Sequence, residues 1–404
     1  MALDQESTFE FHELFFSRTN TKGIILAGNS VFRRVSEYDW SDLIHRPHNT
    51  IRHEDMPRAV FYLLWKTILS GSPIGAYVKN KSKNGAYYWV YALVLPISDG
   101  GFLSVRLKPS SPIFNLIKIE YQKILNLEKT QRITPEQSAN QLLNELINLG
   151  FEDYNAFVVK TLLEELSARQ VKLNRPPIPL LAQFQDVLTF SQNLLVKSQQ
   201  MAKSFKAGVF LPLNLTIQAA KLNLSGEPLA VVAKKYADMI SEIQERFDHF
   251  EEATLLVQKE VSKCQYLICA NILLTEVVDF FKTETNSGPI DVQNEMLLLE
   301  KVTSSGSQQA TTALTSISLE FDKLNTLCEQ LKTITTGLEI VRLMGKIEIA
   351  RLTEKQDQLT HLIEELLKFK SFLVQTLDEI AHVSDDLKIL TGKIISQVGN
   401  ARTP

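Results

Sequence analysis

The sequence predicts a small α+β domain followed by a long all-α region in which helical hairpins pack as a bundle or coiled coil. Two observations favour this fold class. Up to Pro109, glycines and aromatic residues separate short apolar runs, as in a domain that mixes strands with helices. Beyond that point, long stretches rich in Leu, Glu, Lys, Gln and Ala carry apolar residues at intervals of three and four. We therefore expect an α+β domain at 10–112, a helical connector at 113–178 and a helical region at 179–404.

In the first domain the predicted order is a strand, two short helical turns, a helix and three strands. The corresponding runs are 23–27, 29–35, 40–44, 57–70, 74–81, 86–97 and 101–108. Pro57 in the first turn of the helix and Gly71 just beyond its end match the preferences of helix termini. Asn84 and Gly85 predict a hairpin between the first two of the three strands, because both residues accept positive φ.

Few breaks interrupt the helical region. Thr134 before Pro135 predicts a helix cap, and the proline-rich segment 174–179 predicts a stiff connector. We expect turns at 223–228 and 286–289, where Gly and Pro cluster. The small polar residues at 303–307 indicate a further loop. These breaks divide the region into antiparallel hairpins.

The composition excludes several classes of protein. The formal net charge of the 404 residues is −3, so no strongly basic face is available for nucleic acid. Cys264, Cys269 and Cys328 are not spaced like a metal or redox site, and we expect no metal ligands. The most apolar runs, such as 91–97, are far shorter than the roughly 20 residues that cross a bilayer. We expect a cytoplasmic protein without a membrane span.

No phosphate loop, nucleotide box or other catalytic signature occurs, so we expect no enzyme and no catalytic residues.

The first domain contains a series of six short motifs. They are GNSVF at 28–32, PHNTIRHEDMP at 47–57, YVKN at 77–80, KNG at 83–85, YWV at 88–90 and SVR at 104–106. Over residues 18–110 this series closely resembles the PAS domain of aerotaxis receptors. The resemblance implies a small sensor pocket that binds FAD and reports redox state.

Carried over position by position, the resemblance places six residues around that cofactor. They are Asn29, Arg52, His53, Asp55, Phe61 and Asn80. Their chemistry suits the role, because a guanidinium presents a planar fork of donors to phosphate or ring carbonyls and a phenyl ring gives an apolar wall.

Two alternatives stay open for this cluster. Arg52, His53 and Asp55 could instead cap the helix that begins near Pro57. Haem is the second cofactor to consider, since His45 and His48 lie close to His53 in the sequence. The sequence also departs from the flavin-binding pattern: Ile74 stands near the place of a Trp, and Glu54 replaces a proline.

The segment 208–240 resembles the hairpin tip of chemoreceptor signalling domains. The resemblance rests on Leu-Asn at 213–214, Ala-Ala at 219–220, Gly-Glu at 226–227 and the run LAVVA at 229–233. It implies contact with a chemotaxis histidine kinase and its coupling protein through three polar residues before the turn at 223–228. These are Asn214, Gln218 and Lys221. Gln218 and Lys221 stand where the family has Glu and Arg, and an ordinary alanine-rich hairpin is the alternative.

Two further patterns occur in the helical region. Residues 210–222 align with 340–352, which suggests a second copy of the hairpin 130 positions on. Small residues around Gln308 and Gln309 match the receptor methylation pattern, with a flexible linker as the alternative.

Together these patterns predict a cytosolic redox or oxygen sensor for energy taxis. Its pocket state would pass through helices to the chemotaxis kinase, and the receptor resemblance implies a homodimer. The alternative is a scaffold or interaction protein with a sensor fold and a degenerate bundle.

Overall fold

The computed structural model describes residues 5–98, 100–222, 227–283, 289–352 and 357–400, with the side chains of 207 and 398–400 excepted. The chain divides into two compact units. Unit 1 contains the residues up to 182 together with 262–310, and unit 2 contains 183–261 together with the residues from 311 onward. The predicted fold class, an α+β domain followed by long helices, is confirmed.

Unit 1 contains a five-stranded antiparallel sheet. Its strands are β1 (Phe15–Thr19), β2 (Ile25–Gly28), β3 (Ile74–Lys81), β4 (Tyr87–Pro96) and β5 (Phe102–Leu107), in the spatial order β2-β1-β5-β4-β3. The predicted hairpin joins β3 to β4, with Gly85 at φ 96° and Asn84 Oδ1 accepting a hydrogen bond from the Ala86 N–H at 2.8 Å. β1 was not predicted. It pairs with β2 and β5, and β5 is too distant in sequence to form a hairpin with it that a local signal would predict.

Seven helical segments complete the first part of unit 1. They are α1 (Ser30–Ser36), α2 (Trp40–Leu43), a 3₁₀ turn (His48–Ile51), α3 (Arg58–Leu69), α4 (Pro112–Gln131), α5 (Pro135–Asn148) and α6 (Tyr154–Lys172). The predicted cap of α5 is present: Thr134 Oγ1 accepts from the Gln137 N–H, and Gln137 Oε1 accepts from the Thr134 N–H.

Helix α6 packs on the sheet near Gly75. A Cβ atom there would lie 2.4 Å from Tyr91 Oη and 3.0 Å from Val158, so only glycine lets α6 come this close. The Tyr91 hydroxyl donates to the Val158 carbonyl at 3.1 Å, and the Tyr154 hydroxyl donates to the Gly75 carbonyl at 3.1 Å. The sheet and α6 are therefore joined by polar as well as apolar contacts.

Glu165 of α6 is fully buried and gathers four donors. Its carboxylate accepts from Tyr77 Oη at 2.8 Å and from Ser111 Oγ at 2.6 Å. It also accepts from the backbone N–H groups of Ser110 and Ser111, at 2.6 and 3.1 Å. We call these four hydrogen bonds the Glu165 clamp. It fastens α6 to β3 and to the segment in which the sheet domain passes into α4.

The long helices are α7 (Pro179–Gly208), α8 (Phe210–Ala220), α9 (Glu227–Thr283), α10 (Val292–Ala350) and α11 (Asp357–Asn400). The loop expected at 303–307 is wrong, because these residues lie inside α10. A Cβ atom on Gly306 would lie 2.5 Å from Asn271 Oδ1, so the glycine allows close helix packing rather than a break. Most of the turn predicted at 223–228 lies outside the described residues, which resume at Glu227, the first residue of α9.

Unit 2 is built from α7–α8 and the parts of α9, α10 and α11 that belong to it. Phe205 stacks on Phe247 of α9 with ring centroids 6.0 Å apart. Met239 of α9 reaches Gly337 of α10. Lys332 of α10 pairs with Asp378 of α11 at 2.9 Å. Residues early in one helix thus meet residues late in the next, which is the arrangement of antiparallel hairpins around one core.

One helix in the described part of the chain, α9, is long and apolar enough to cross a membrane by length and composition. Its most apolar 18-residue window has a mean hydropathy of 1.4, and 67% of that window is buried within the protein. The expectation that all apolar runs are far shorter than a span is therefore wrong for α9. A buried core helix passes the same test, so this window is weak evidence for a membrane span.

Candidate functional site

The sheet and α3 enclose a cavity of about 230 Å³. It is lined by Ser17, Thr19, Lys22, Gly23, Pro47, His48, Asn49, Arg52, Phe61, Leu64, Trp65, Ile68, Val78, Asn80, Ala92, Val94, Phe102, Ser104 and Arg106. Three of these residues are cations and none is a carboxylate. The cavity therefore favours a ligand that is anionic or rich in hydrogen-bond acceptors.

Arg106 of β5 is the most deeply buried charge in this lining, at 3% exposed. Its Nη2 donates to Ser17 Oγ at 2.6 Å and to His48 Nε2. Its Nη1 is buried and has no hydrogen-bond partner within the described residues, and the same is true of Ser104 Oγ on the same strand. Burial lowers the Arg106 pKa to about 10, so the guanidinium stays charged at neutral pH. A buried cation with an unpaired donor indicates a missing acceptor.

His48 is held as a neutral acceptor beside this cation. Burial and the Arg106 charge lower its pKa to about 3, so Nε2 is free of a proton at neutral pH and accepts the Arg106 hydrogen bond. Its ring lies parallel to Phe32, with the centroids 6.1 Å apart. His48 therefore orients the guanidinium without adding a charge.

The pKa of His48 predicts an acid-sensitive N-terminal domain. The unfolded chain takes up this proton near the ordinary value of 6.5, and the folded domain resists it until about pH 3. The free energy of unfolding should thus be highest above pH 6.5 and fall by about 1.4 kcal/mol per pH unit below it. Denaturation followed by Trp fluorescence from pH 7.5 to 4 checks this. The fall should be shallower in His48→Gln, and equal slopes in both proteins would contradict it.

Aromatic side chains form the apolar walls of the cavity. Trp65 of α3 and Phe102 of β5 meet edge to face, with centroids 5.8 Å apart. Phe61 carries the Arg52 guanidinium 3.8 Å above its ring. Ile74, which stands near the place of a Trp in the flavin-binding pattern, is not part of the lining. Trp65 supplies a large ring from a different element instead.

A more open cleft adjoins the cavity and shares Asn49 and Arg52 with it. It lies beside α3 and α4, and its further lining is His53, Glu54, Met56, Arg58, Lys81, Leu125, Glu128, Lys129 and Arg132. Cations outnumber carboxylates here. Arg52 thus connects an apolar cavity to a basic cleft, an arrangement that suits a ligand with a ring at one end and phosphates beyond it.

The structure brings three of the six predicted cofactor residues to the cavity: Arg52, Phe61 and Asn80. His53 lines the cleft. Asn29 lies elsewhere, as the N-cap of α1, where its Oδ1 accepts from the Phe16 and Phe32 N–H groups. Asp55 also lies outside both linings and pairs with Lys79 at 2.9 Å, which lowers the Asp55 pKa.

The alternative in which this cluster caps the following helix is wrong. The N-cap Pro57 has no side-chain cap, and Glu128 of α4 takes that role. Its carboxylate accepts from the backbone N–H groups of Arg58 and Ala59, at 3.0 and 3.1 Å.

Most of the cavity lining was not among the predicted site residues, and the most consequential of these residues are His48, Trp65 and Arg106. A signal for Arg106 did exist. The strand 102–107 is apolar on both faces except for Ser104 and Arg106, and a lone cation in a buried strand marks a functional position. Trp65 carries no such signal, since one aromatic residue on a helix is indistinguishable from core.

The predicted partner residues lie on one helix of unit 2. Asn214 and Gln218 belong to α8 and Lys221 follows its last residue, so the spacing of four and three places them on one face. Asn214 and Lys221 are exposed. Gln308 and Gln309, the predicted methylation residues, are exposed within α10 rather than in a flexible linker.

Comparison with known proteins bears on the N-terminal domain. Residues 25–105 match a family profile described as PAS fold. The aerotaxis receptor of Escherichia coli (strain K12) is 36% identical over 120 residues, which are 29% of this chain and 24% of the receptor. The predicted PAS domain and its similarity to aerotaxis receptors are confirmed. The match spans about a quarter of the receptor's length.

Solved structures of PAS and LOV domains are also similar. The LOV domain of a blue-light activated histidine kinase from Erythrobacter litoralis EL346 is 17% identical, covers 23% of this chain and 92% of that domain, and has a TM-score of 0.22. The light-state aureochrome1 LOV structure is 22% identical, covers 29% and 91%, and also has a TM-score of 0.22.

Proposed function

We propose that the N-terminal PAS domain binds FAD and senses redox state, and that the helices after it relay this state to a chemotaxis histidine kinase complex in the cytoplasm. One observation carries the cofactor assignment. Arg106 is a buried cation with an unpaired N–H group at the wall of a cavity without carboxylates. An acceptor-rich ring system is the kind of ligand that would satisfy it.

The residues present fit such a cofactor. Phe61, Trp65 and Phe102 would flank the ring system, and Arg106, Ser104 and Asn80 would meet its polar edge. A cavity of about 230 Å³ is small for a whole dinucleotide, so the phosphates would lie in the basic cleft that Arg52 shares. When bound, the flavin would supply a group whose charge changes with redox state.

The charges around the cavity make the domain responsive to that change. Arg106 holds a fixed positive charge, and neutral His48 keeps it in place. A buried fixed charge interacts more strongly with a charged ring than with a neutral one, because the surroundings screen it poorly. Electron density that reduction adds at the ring carbonyls would therefore strengthen the contact to Arg106.

FAD is preferred to haem for a reason of ligation. His48 is the histidine that lines the cavity, and its Nε2 is engaged by Arg106. His45 is exposed and His53 belongs to the cleft. None of the three offers the cavity a free imidazole nitrogen for iron.

The relay to a kinase rests on the resemblance of 208–240 to a receptor tip. We propose that Asn214, Gln218 and Lys221 contact the kinase and its coupling protein, and that the protein is a homodimer. We also propose methylation at Gln308 and Gln309, after water has hydrolysed each amide to a carboxylate with release of ammonia. Kinase autophosphorylation, reconstituted with the coupling protein, should differ between oxidised and reduced full-length protein. Equal activity in both states would contradict the relay.

A scaffold without kinase control is the second candidate function. It is favoured by Gln218, which lacks the charge of Glu in the receptor pattern, and by Lys221, which keeps the charge of Arg but not its planar fork of donors. In this case the protein would bind partners equally in both redox states.

Exchange of two tip residues tests the partner contact. The double variant Gln218→Ala with Lys221→Glu removes one hydrogen-bonding group and reverses one exposed charge, so the α8 contact with the kinase and its coupling protein should weaken at least about tenfold and capture should fall. Lys393→Glu, at an exposed position of α11, is a matched charge reversal that should leave capture unchanged. Undiminished capture by the double variant would place the contact elsewhere, and no capture by the wild type would favour the scaffold.

A further inference from the structure

Unit 2 contains the same hairpin twice. In the first hairpin α8 ends at Ala220 and α9 begins at Glu227, and in the second α10 ends at Ala350 and α11 begins at Asp357. Both boundaries are 130 positions apart. Residues 210–222 align with 340–352 at the same offset of 130 positions. Both segments contain the pattern Ile, then Gln or Glu, then any residue, then Ala, then Lys or Arg, then Leu.

The burial pattern repeats at this offset along both arms. In the arms before the turn, positions that are buried in both copies are 184/314, 187/317, 191/321, 194/324, 198/328, 201/331, 205/335, 208/338 and 215/345. In the arms after the turn they are 229/359, 233/363, 236/366, 243/373, 247/377, 250/380, 254/384, 257/387 and 261/391. Equivalent residues therefore face the same core at equal distances from the two turns. One chain supplies two equivalent hairpins to a single bundle.

The exposed faces repeat as well. Phe210, Leu213 and Ile217 lie one above another on α8, with spacings of three and four. Their equivalents on α10 are Ile340, Leu343 and Ile347. All six side chains are between 46 and 61% exposed. Exposed apolar stripes at matching positions in both copies are not explained by the core of the bundle.

The two stripes lie on different sides of unit 2. Helices α7 and α8 follow one another along one side of the bundle. They pack against α9 through Phe205 and Phe247, and against α11 through Gly208 and Phe369. The end of α10 also packs between α9 and α11, where Gly345 meets Val232 and Ile363. Helices α8 and α10 are thus at diagonally opposite positions in the bundle, with α9 and α11 between them. Their solvent faces point away from each other.

An exposed cation lies at the same end of each stripe, and the α10 stripe also has the exposed Lys346 between Leu343 and Ile347. No charged residue occurs between Lys206 and Lys221, so the α8 stripe is neutral until it reaches exposed Lys221 beside the turn. The equivalent of Lys221 is Arg351, which is exposed and pairs with its neighbour Glu348 at 2.8 Å. Each stripe therefore ends in a cation at the same place.

We propose that these two stripes are equivalent docking faces, so that one chain binds two copies of a partner with an apolar groove closed at one end by carboxylates. A helix in a groove is recognised by residues at this spacing. Three partly exposed side chains offer on the order of a few hundred Å² per face, too little for a stable dimer of this chain through either face alone. The inference rests on the proposed function, because the coupling protein is the expected partner.

The number of binding sites tests this inference. Titration of the full-length protein with the coupling protein, followed by calorimetry and sedimentation velocity, should give two equivalent sites. Leu213→Glu and Leu343→Glu should each leave one site of unchanged affinity, and the double variant should leave none. Both leucines are exposed, so the fold tolerates the change. Ile389→Glu, at another exposed position of unit 2, should retain both sites.

The results that would contradict the two docking faces can be told apart from those that would contradict kinase coupling. One site on the wild-type chain, or loss of both sites in either single variant, contradicts two equivalent faces while leaving kinase coupling intact. No binding of the coupling protein contradicts both the two faces and kinase coupling. Oligomers of the chain alone that the double variant dissolves would show that a second copy occupies the stripes, which also overturns the inference.

Discussion

Replacement of Arg106 by Gln is expected to weaken FAD binding by roughly 10–150-fold. A hydrogen bond from a charged donor contributes about 1.5–3 kcal/mol, and each 1.4 kcal/mol is a factor of ten in affinity. Gln keeps a donor near the cavity but removes the charge that lies buried at 3% exposure without a carboxylate beside it. Titration of the cofactor-free protein with FAD, followed by quenching of flavin fluorescence, measures the change.

Arg46→Gln is the matched control, because Arg46 is exposed and does not line the cavity. Its affinity should equal that of the wild type. The fold of Arg106→Gln can be checked by Trp fluorescence. A folded Arg106→Gln protein with wild-type affinity would show that the guanidinium does not contact the cofactor.

Removal of the Glu165 carboxylate should give the largest loss of stability. Glu165→Ala leaves the hydroxyls of Tyr77 and Ser111 and two backbone N–H groups without their acceptor. A buried donor left unpaired costs about 1–3 kcal/mol, so partial relaxation of the four still leaves a loss of about 3–5 kcal/mol. The unfolding free energy of the N-terminal domain should fall by this amount.

The chain offers a selective probe for this measurement. Its three tryptophans, Trp40, Trp65 and Trp89, all lie in the N-terminal domain. Urea denaturation followed by their fluorescence therefore reports on that domain within the full-length protein. Glu164→Ala, which removes a neighbouring carboxylate outside the clamp, should shift the transition little. A similar small shift in Glu165→Ala would mean that water replaces the carboxylate at no cost.

Much of the N-terminal fold was predictable from local signals. The helix at 57–70 and the strand at 74–81 carry the periodicity and the terminal residues of their elements, and the structure has them at Arg58–Leu69 and Ile74–Lys81. β1 was missed because its place is set by pairing with β5, which no local pattern encodes. The same limit applies to Glu165, whose donors come from β3 and from the segment before α4.

The resemblance predicted part of the cavity lining, since three of the six residues that it named lie there and three do not. Arg52, Phe61 and Asn80 line the cavity as the resemblance implies, whereas Trp65 and Arg106 become neighbours of these residues only when the sheet and α3 close. In the helical region, Gly306 indicated a loop because glycine is common in turns. Its role is to admit Asn271 from a neighbouring helix, which depends on packing rather than on local sequence.

The visible absorption spectrum of the purified full-length protein tests most directly whether the PAS cavity holds FAD. Flavin bands in the visible region, with FAD released on denaturation and identified by mass, are the predicted result. Reduction should bleach these bands. Colourless protein that also fails to take up added FAD, although its Trp fluorescence shows a folded domain, would show that the cavity does not hold FAD.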